Sequence, residues 1–248
     1  MPDFDHGGSS LTDAWEEEAE GWIRWARTPG HDDYYELYNL PAFLDLLPEP
    51  GRLTIDLGAG EGRLGRVLCD LGHRVVSIEP SRTLVRAARD ARPEIPIAQG
   101  NGAAVPVAAG VADLVVCFMV LQDVDDLARV AAEMARVLAA DGVACAAIIH
   151  PMVSSGFFDP DEPLLYVGRY LAVMRNSFAF ERDGISFTFH TAHRPLEDYS
   201  RAFEAAGLVI EAIREPRLSD EHVEVRPSLA RHRLLPNFLY FALRRSAG

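Results

Sequence analysis

Apolar and polar positions along this chain follow two periods, and the change of period divides it. Trp15, Trp22 and Trp25 fall seven and three residues apart, on one helical face of a segment running to about Arg27. Asp13, with Glu16 three residues on, predicts the cap of that helix. Pro29-Gly30 breaks the run, and Asp32 or Asp33 can cap a second helix that carries Tyr34, Tyr35, Leu37, Tyr38 and Phe43 to about Leu46. Short apolar runs then predict strands near 53–57, 74–79, 95–98, 113–119 and 143–149. Helical patterns lie between them over 62–71, 81–91 and 125–139. Alternation of this kind predicts a parallel sheet with right-handed crossovers.

The rhythm changes after His150-Pro151. Residues 151–176 are rich in Pro, Gly, Met and aromatics, with a short helical stretch near Leu164 to Met174. Phe178-Ala179-Phe180 and Ile185 to Phe189 alternate around Asp183-Gly184, a hairpin signal. A helix from Pro195 to Ala206 and strands at Leu208–Arg214 and Leu235–Arg244 complete the sheet, and 216–234 reads as a charged surface excursion. The expected organisation is an N-terminal helical lid over 1–50 and a core over 51–248, with 150–192 inserted to cover a substrate.

Ile55-Asp56-Leu57-Gly58-Ala59-Gly60-Glu61-Gly62-Arg63 stands where the first strand meets the first core helix. Gly58 and Gly60 can take positive φ and leave bare backbone for a ligand. A dinucleotide fingerprint needs its third glycine at position 63, which is Arg here; the glycine comes one residue early, at Gly62. Asp56 would repel a pyrophosphate and can accept hydrogen bonds from an ammonium. The turn fits a ligand without phosphates. Glu79 follows about 20 residues after it, the separation expected for an acid that holds ribose hydroxyls.

With these residues in place the chain resembles the class I S-adenosylmethionine-dependent methyltransferases of small-molecule type. Asp56 to Gly62 reads as that family's first motif and Glu79 as its ribose acid. The likeness continues through Gln99-Gly100-Asn101-Gly102-Ala103, Asp113-Leu114-Val115-Val116, Glu133 to Leu138 and Asp141-Gly142, covering roughly Gly51 to Pro216. It implies a Rossmann-like α/β fold: a seven-stranded, mostly parallel sheet with helices on both faces. It implies S-adenosyl-L-methionine as cofactor, with S-adenosyl-L-homocysteine as product; no metal is expected, because no metal-ligand spacing links the cysteines to a His. The cofactor set it implies is Asp56, Gly58, Gly60, Glu79, Pro80, Asn101, Gly102, Ala103 and Phe118. Where the family often has Asp, Asn101 keeps an acceptor oxygen without the charge.

Composition narrows the partners. A net charge of −13 argues against nucleic acid. No run approaches the roughly 18 apolar residues of a membrane span, and the acidic, glycine-containing start is unlike a signal peptide. The expectation is a cytoplasmic monomer or homodimer acting on a small molecule, in secondary metabolism or a cofactor pathway. The chain has no lysine, which removes Schiff-base chemistry. Cys69, Cys117 and Cys145 are dispersed, without metal-ligand spacing, and read as reduced core residues.

Candidates for chemistry come from the ends of strands. His150, after the fifth strand, titrates near neutrality and is the expected catalytic base; the alternative is a His that braces a turn. Tyr34 and Asp123 are its expected companions. Tyr35, Gln122, His190, His193 and Arg194 are the expected substrate contacts, Arg194 by gripping a carboxylate or, alternatively, by pairing with Glu197 or Asp198. The tryptophan stripe reads either as packing or as a pocket wall, and His31 as pocket lining or cap. Two other functions stay open: a non-catalytic module that binds S-adenosylmethionine or its product, and an NAD-dependent oxidoreductase, against which Arg63 counts.

Overall fold

The computed structural model describes residues 9–158, 166–227, 230, 233 and 235–246. Helix α1 (Leu11–Arg27) is capped by Ser10, whose Oγ accepts the Asp13 amide at 3.0 Å. The cap precedes the expected Asp13 because Leu11 and Ala14 are buried and lengthen the apolar face. The Asp13 carboxylate accepts the Ser10 hydroxyl in return, at 2.7 Å. The second expected helix is a π-helical turn, Tyr34–Asn39, that runs into α2 (Leu40–Leu44). Asp32 Oδ1 accepts the Tyr35 amide at 3.3 Å, so Asp32 and not Asp33 tethers its start. Wide turns of this type recur at functional sites.

The core follows as β1 (Thr54–Leu57), α3 (Arg63–Asp70), β2 (Val75–Glu79), α4 (Arg82–Ala91), β3 (Ile97–Gln99), β4 (Ala112–Phe118), α5 (Leu127–Val137) and β5 (Leu138–Ile149). Next come α6 (Pro151–Ser154), β6 (Gly156–Phe158), β7 (Tyr166–Gly168), β8 (Met174–Arg182) and β9 (Ile185–His193). The chain ends with α7 (Leu196–Ala205), β10 (Leu208–Arg214), α8 (Asp220–Val225) and β11 (Phe238–Arg245). Seven strands form one sheet in the order β10-β11-β5-β4-β1-β2-β3, and β11 alone runs antiparallel to its neighbours. This is the expected α/β, Rossmann-like sheet. β1 pairs with β2 on one side and β4 on the other, so the strand order reverses there and opens a crevice at the carboxyl ends.

Helices cover both faces. Val130 and Met134 of α5 and Tyr199 and Phe203 of α7 pack on one, with Leu64 and Leu68 of α3, Tyr38 and Phe43 on the other. A third cluster joins Trp22 and Trp25 of α1 to Leu84 of α4 and Phe187 of β9. Helix α1 is tied down along its length. The Leu11 amide donates to Asp125 at 3.1 Å, the Glu16 carboxylate takes the Ser81 and Thr83 hydroxyls, and Arg27 Nε meets Glu61 at 2.8 Å.

The hairpin forms as expected, with Asp183 at φ 52° and Gly184 at φ 75°, the two positive angles a type I′ turn requires. The helix expected near Leu164–Met174 does not form. Its first two residues lie outside the described residues, Tyr166–Gly168 pairs with β6, and Met174 opens β8. Pro195 precedes α7 as its N-cap instead of entering the first turn. The excursion 216–234 contains the short α8. Cys117 and Cys145 are buried, Cys69 half-buried, and all three are free thiols. Among the described residues no helix is long and apolar enough to cross a membrane, and no cluster of His, Cys, Asp and Glu could hold a metal.

Candidate active site

A cavity of about 1290 Å³ opens at the carboxyl ends of β1 and β4. Ligand pockets are usually ~300–1,000 Å³, so this one is larger than most single-ligand pockets. Its floor is the glycine turn, Gly58 at φ 74° and Gly60 at φ 58°. A Cβ on Gly60 would make only an ordinary contact, with Trp22 Nε1 at 3.8 Å, so it is the positive φ that favours glycine there. Gly62 serves packing and not the cavity. A Cβ there would lie 2.9 Å from that of Ala88, so this glycine lets α3 approach α4.

Two buried carboxyls flank the turn. Glu79 accepts the Gly60 amide through Oε2 at 2.9 Å and the Ser81 amide through Oε1 at 2.9 Å. Asp56, at the end of β1, is 1% exposed, and its Oδ2 has no hydrogen-bond partner. Burial pushes both groups up to about 7, and each is hindered further by a neighbouring acid, Glu79 beside Asp56 and Glu16 beside Glu79. Pro80, Gly102, Ala103 and Phe118 also line the cavity. Asn101 lines it too, but its Oδ1 already accepts the Ala103 amide at 2.8 Å, which leaves the NH₂ end for a partner.

Tyr35 stands over this floor. Its hydroxyl is buried without a partner, and its ring lies 3.6 Å beneath the Arg63 guanidinium and edge-on to Phe118. Arg63 in turn pairs with Asp32 at 2.6 Å and covers Trp22 at 4.8 Å. Burial pushes the Tyr35 hydroxyl up to about 12, so it stays a neutral donor. Tyr34, Gln122 and Asp123 line the cavity. Burial holds the Asp123 carboxyl well above the usual carboxylate range.

The remaining expected chemistry lies elsewhere. His150 does not line the cavity: it caps α6, with Nδ1 accepting the Met152 amide at 3.1 Å and Nε2 facing Glu215 at 3.1 Å. Burial lowers its pKa, and the proline after it makes it a turn brace, not a base aimed at a substrate. His193 is fully buried between the Ser154 hydroxyl and the Tyr170 carbonyl, each at 2.8 Å. His190 bonds across the hairpin to Ser177 at 3.1 Å. Arg194 grips neither a cavity anion nor Glu197 or Asp198. It is buried and donates to the carbonyls of Leu121, Val124 and Asp125, fixing the loop after β4.

Other cavity residues are not apparent from the sequence. Phe178, Phe180 and Phe189 line it from the hairpin, and Arg182 and Arg226 stand beside it. Arg226 pairs with Asp33. Their signal was the alternation of phenylalanines, which fixed a strand face but not what that face would meet. The three tryptophans both line the cavity and pack against Phe187 and Phe189, so wall and packing are one role. His31 lines it with neither ring nitrogen hydrogen-bonded, its Nε2 lying 3.6 Å from the Asp183 carboxylate.

The unpaired polar atoms point the same way. Among the described residues, buried side-chain atoms without a hydrogen-bond partner belong to Trp15, His31, Tyr35, Asp56 and Gln122. All five residues line this one cavity. Buried polar groups are ordinarily satisfied, so their concentration at one place marks where a ligand supplies the partners. Fold and turn define the class: a Rossmann-like domain whose ligand turn carries carboxylates in place of a phosphate cradle.

Comparison with known proteins carries this further. Residues 55–146 match the family model of the methyltransferase domain. A probable S-adenosylmethionine-dependent methyltransferase from Mycolicibacterium smegmatis is 32% identical over 93 residues, 38% of this chain and 36% of that protein. The chain spans about a third of the length of such curated relatives. Among solved structures, an S-adenosylmethionine-dependent methyltransferase from Mesorhizobium loti superposes with a TM-score of 0.69 at 24% identity, over 83% of this chain and 96% of that one. The glycopeptide N-methyltransferase MtfA, solved with S-adenosyl-L-methionine, superposes at 0.61 with 16% identity, over 89% and 99%. Residues 55–146 thus match a methyltransferase domain, and the chain is similar to class I S-adenosylmethionine-dependent methyltransferases, whose cofactor is S-adenosyl-L-methionine.

Proposed function

We propose that this protein transfers a methyl group from S-adenosyl-L-methionine to an oxygen, nitrogen or carbon nucleophile of a small molecule, as an enzyme of secondary metabolism. The observation that carries this reading is one cavity that begins at the glycine turn, collects the unsatisfied buried polar atoms and is larger than most single-ligand pockets. The bound cofactor supplies an electrophilic methyl on a sulfonium. The chain's own residues have three roles.

The first is to hold a cationic adenosyl ligand. Asp56 and Glu79 are buried acceptors without a cation of their own among the described residues, suited to an ammonium and a ribose diol. The second is to exclude water. Trp15, Trp22, Phe180 and Phe189 form an apolar wall, and a dry site strengthens every charge interaction inside it. We propose that residues 1–50 and the segment 150–192 serve as this cover over the core. The third is to orient the nucleophile near attack distance, which accounts for much of the barrier in a displacement of this type. Tyr34, Tyr35, Gln122 and Asp123 are the candidates for it.

Calorimetry tests the cofactor side: S-adenosyl-L-homocysteine should bind and NADH should not, and the reverse would end the methyltransferase reading. Incubating the protein and S-adenosyl-L-methionine with a cell extract should yield a product heavier by one methylene. Cofactor binding with no such product would make the protein a ligand-binding module instead.

A further inference from the structure

After β4 the chain makes a single 3₁₀ turn, Leu121–Asp123, that presents Gln122 and Asp123 to the cavity. Gln122 is 3% exposed. Its Nε2 donates to the Met119 carbonyl at 2.6 Å and to Asp123 Oδ2 at 3.3 Å, which aims Oε1 away with no partner. Asp123 has no cation within salt-bridge distance among the described residues, and the chain has no lysine to offer. Arg194, the cation that influences it, spends its guanidinium on the carbonyls of Leu121, Val124 and Asp125. Two acceptors, the Asp123 carboxyl and a buried amide oxygen beside it, therefore belong to the cavity lining with no cation paired to either among the described residues.

An aromatic wall adjoins this pair. The Thr191 hydroxyl donates to the Gln122 backbone carbonyl at 3.2 Å and lies within hydrogen-bond reach of the Asp123 carboxyl, and Phe189 lies two residues before it on the same face of β9. The Phe189 ring stands 5.7 Å from Trp15 and 5.4 Å from Trp22. Acceptors beside π faces favour a group that brings N–H donors and positive charge. A hydroxyl brings one donor and fills one acceptor. A carboxylate brings none and would meet Asp123 as a like charge.

We propose that the methyl acceptor is an amine whose nitrogen is held by Asp123 and Gln122, an inference that rests on the methyl-transfer reading of this same cavity. The ammonium form gives one proton to the Asp123 carboxylate. The freed nitrogen lone pair forms the new C–N bond as the C–S bond breaks, and that bond's electron pair stays on sulfur. The product leaves as a methylated ammonium, and Asp123 returns its proton to solvent. A carboxyl held above its usual range by burial takes such a proton more readily than an exposed one.

The test uses the full chain saturated with S-adenosyl-L-homocysteine and titrated calorimetrically with phenethylamine, tryptamine, 2-phenylethanol and phenylacetic acid. An amine should bind at least about tenfold more tightly than the alcohol, and the acid should not bind. Asp123→Asn should remove that preference and keep S-adenosyl-L-homocysteine affinity. Alcohol or acid binding as well as the amines, no amine binding, or an unchanged preference in Asp123→Asn would each overturn the proposal. If Asp123→Asn loses the cofactor product, the wild-type comparison of amine and alcohol decides. Failure of the wild type to bind S-adenosyl-L-homocysteine is read separately, before any amine is added, and overturns the methyltransferase reading itself.

Discussion

Glu79 accepts the backbone amide of Gly60 at 2.9 Å, so the acid at the end of β2 is fastened to the glycine turn at the end of β1. The second carboxylate oxygen takes the Ser81 amide at the start of α4. Two fixed donors orient the group, and its remaining lone pairs are left to a ligand of the cavity that Glu79 lines. Glu79→Gln keeps the shape and loses the charge. Charge-assisted hydrogen bonds contribute about 1.5–3 kcal/mol each, so S-adenosyl-L-homocysteine affinity should fall by roughly 10- to 100-fold in calorimetry.

Asp56 and Glu79 also set a pH dependence. Both are pushed up to about 7 in the folded chain, above their ordinary 3.8 and 4.5. The folded state thus binds protons more tightly than the unfolded state over that interval. The contribution to stability is full below about pH 4 and is lost as pH rises through 7. Ligand binding has the opposite sign, because a cationic ligand selects the ionised carboxylates. The melting temperature of the free protein should fall between pH 5 and 8, while the increment produced by S-adenosyl-L-methionine should grow. Thermal melts at fixed ionic strength, with and without the cofactor, read both; an increment that shrinks toward pH 8 would contradict the assignment.

The sheet was legible from sequence because a parallel strand buried on both faces is written as an apolar run. β4, with Asp113 its one polar residue, is of that kind, and β1 is buried at all four positions although Thr54 and Asp56 alternate with its apolar residues. The cofactor half was legible for a related reason: Asp56, the glycines and Glu79 act from strand ends, so chain position determines place. The substrate half was not. His150 has the position of a base, yet its imidazole turns back to the Met152 amide, a choice of rotamer that no spacing encodes. Arg194 and His193 satisfy carbonyl oxygens of loops remote in sequence, and those partners exist only once the chain has folded. Arg63 stands out in the sequence only as a missing glycine, though it stacks on Tyr35 in the cavity.

Tyr35 offers a test that separates stability from binding. Its hydroxyl is buried and unpartnered in the free chain. A tyrosine that has made a hydrogen bond loses stability on conversion to phenylalanine; one that has not is relieved of a desolvated polar atom, worth about 1 kcal/mol or more. Tyr35→Phe should leave the melting temperature unchanged or raise it, while weakening S-adenosyl-L-homocysteine or substrate binding several-fold. A variant that is destabilised and binds as well as the wild type would make the hydroxyl structural.

His150 and Arg194 should separate from the cavity residues in the other direction. His150→Ala removes a helix cap, which costs about 1 kcal/mol, and a contact with the largely exposed Glu215 that adds little. Cofactor affinity and methyl transfer should survive it; loss of either would return His150 to the reaction. Arg194→Met is more severe. It preserves the aliphatic stem but strips hydrogen bonds from the carbonyls of Leu121, Val124 and Asp125, so a cost of about 2–4 kcal/mol is expected in denaturant titrations. Because those carbonyls belong to the loop that carries Gln122 and Asp123, the variant should also weaken substrate binding while S-adenosyl-L-homocysteine affinity, set by the opposite turn, holds.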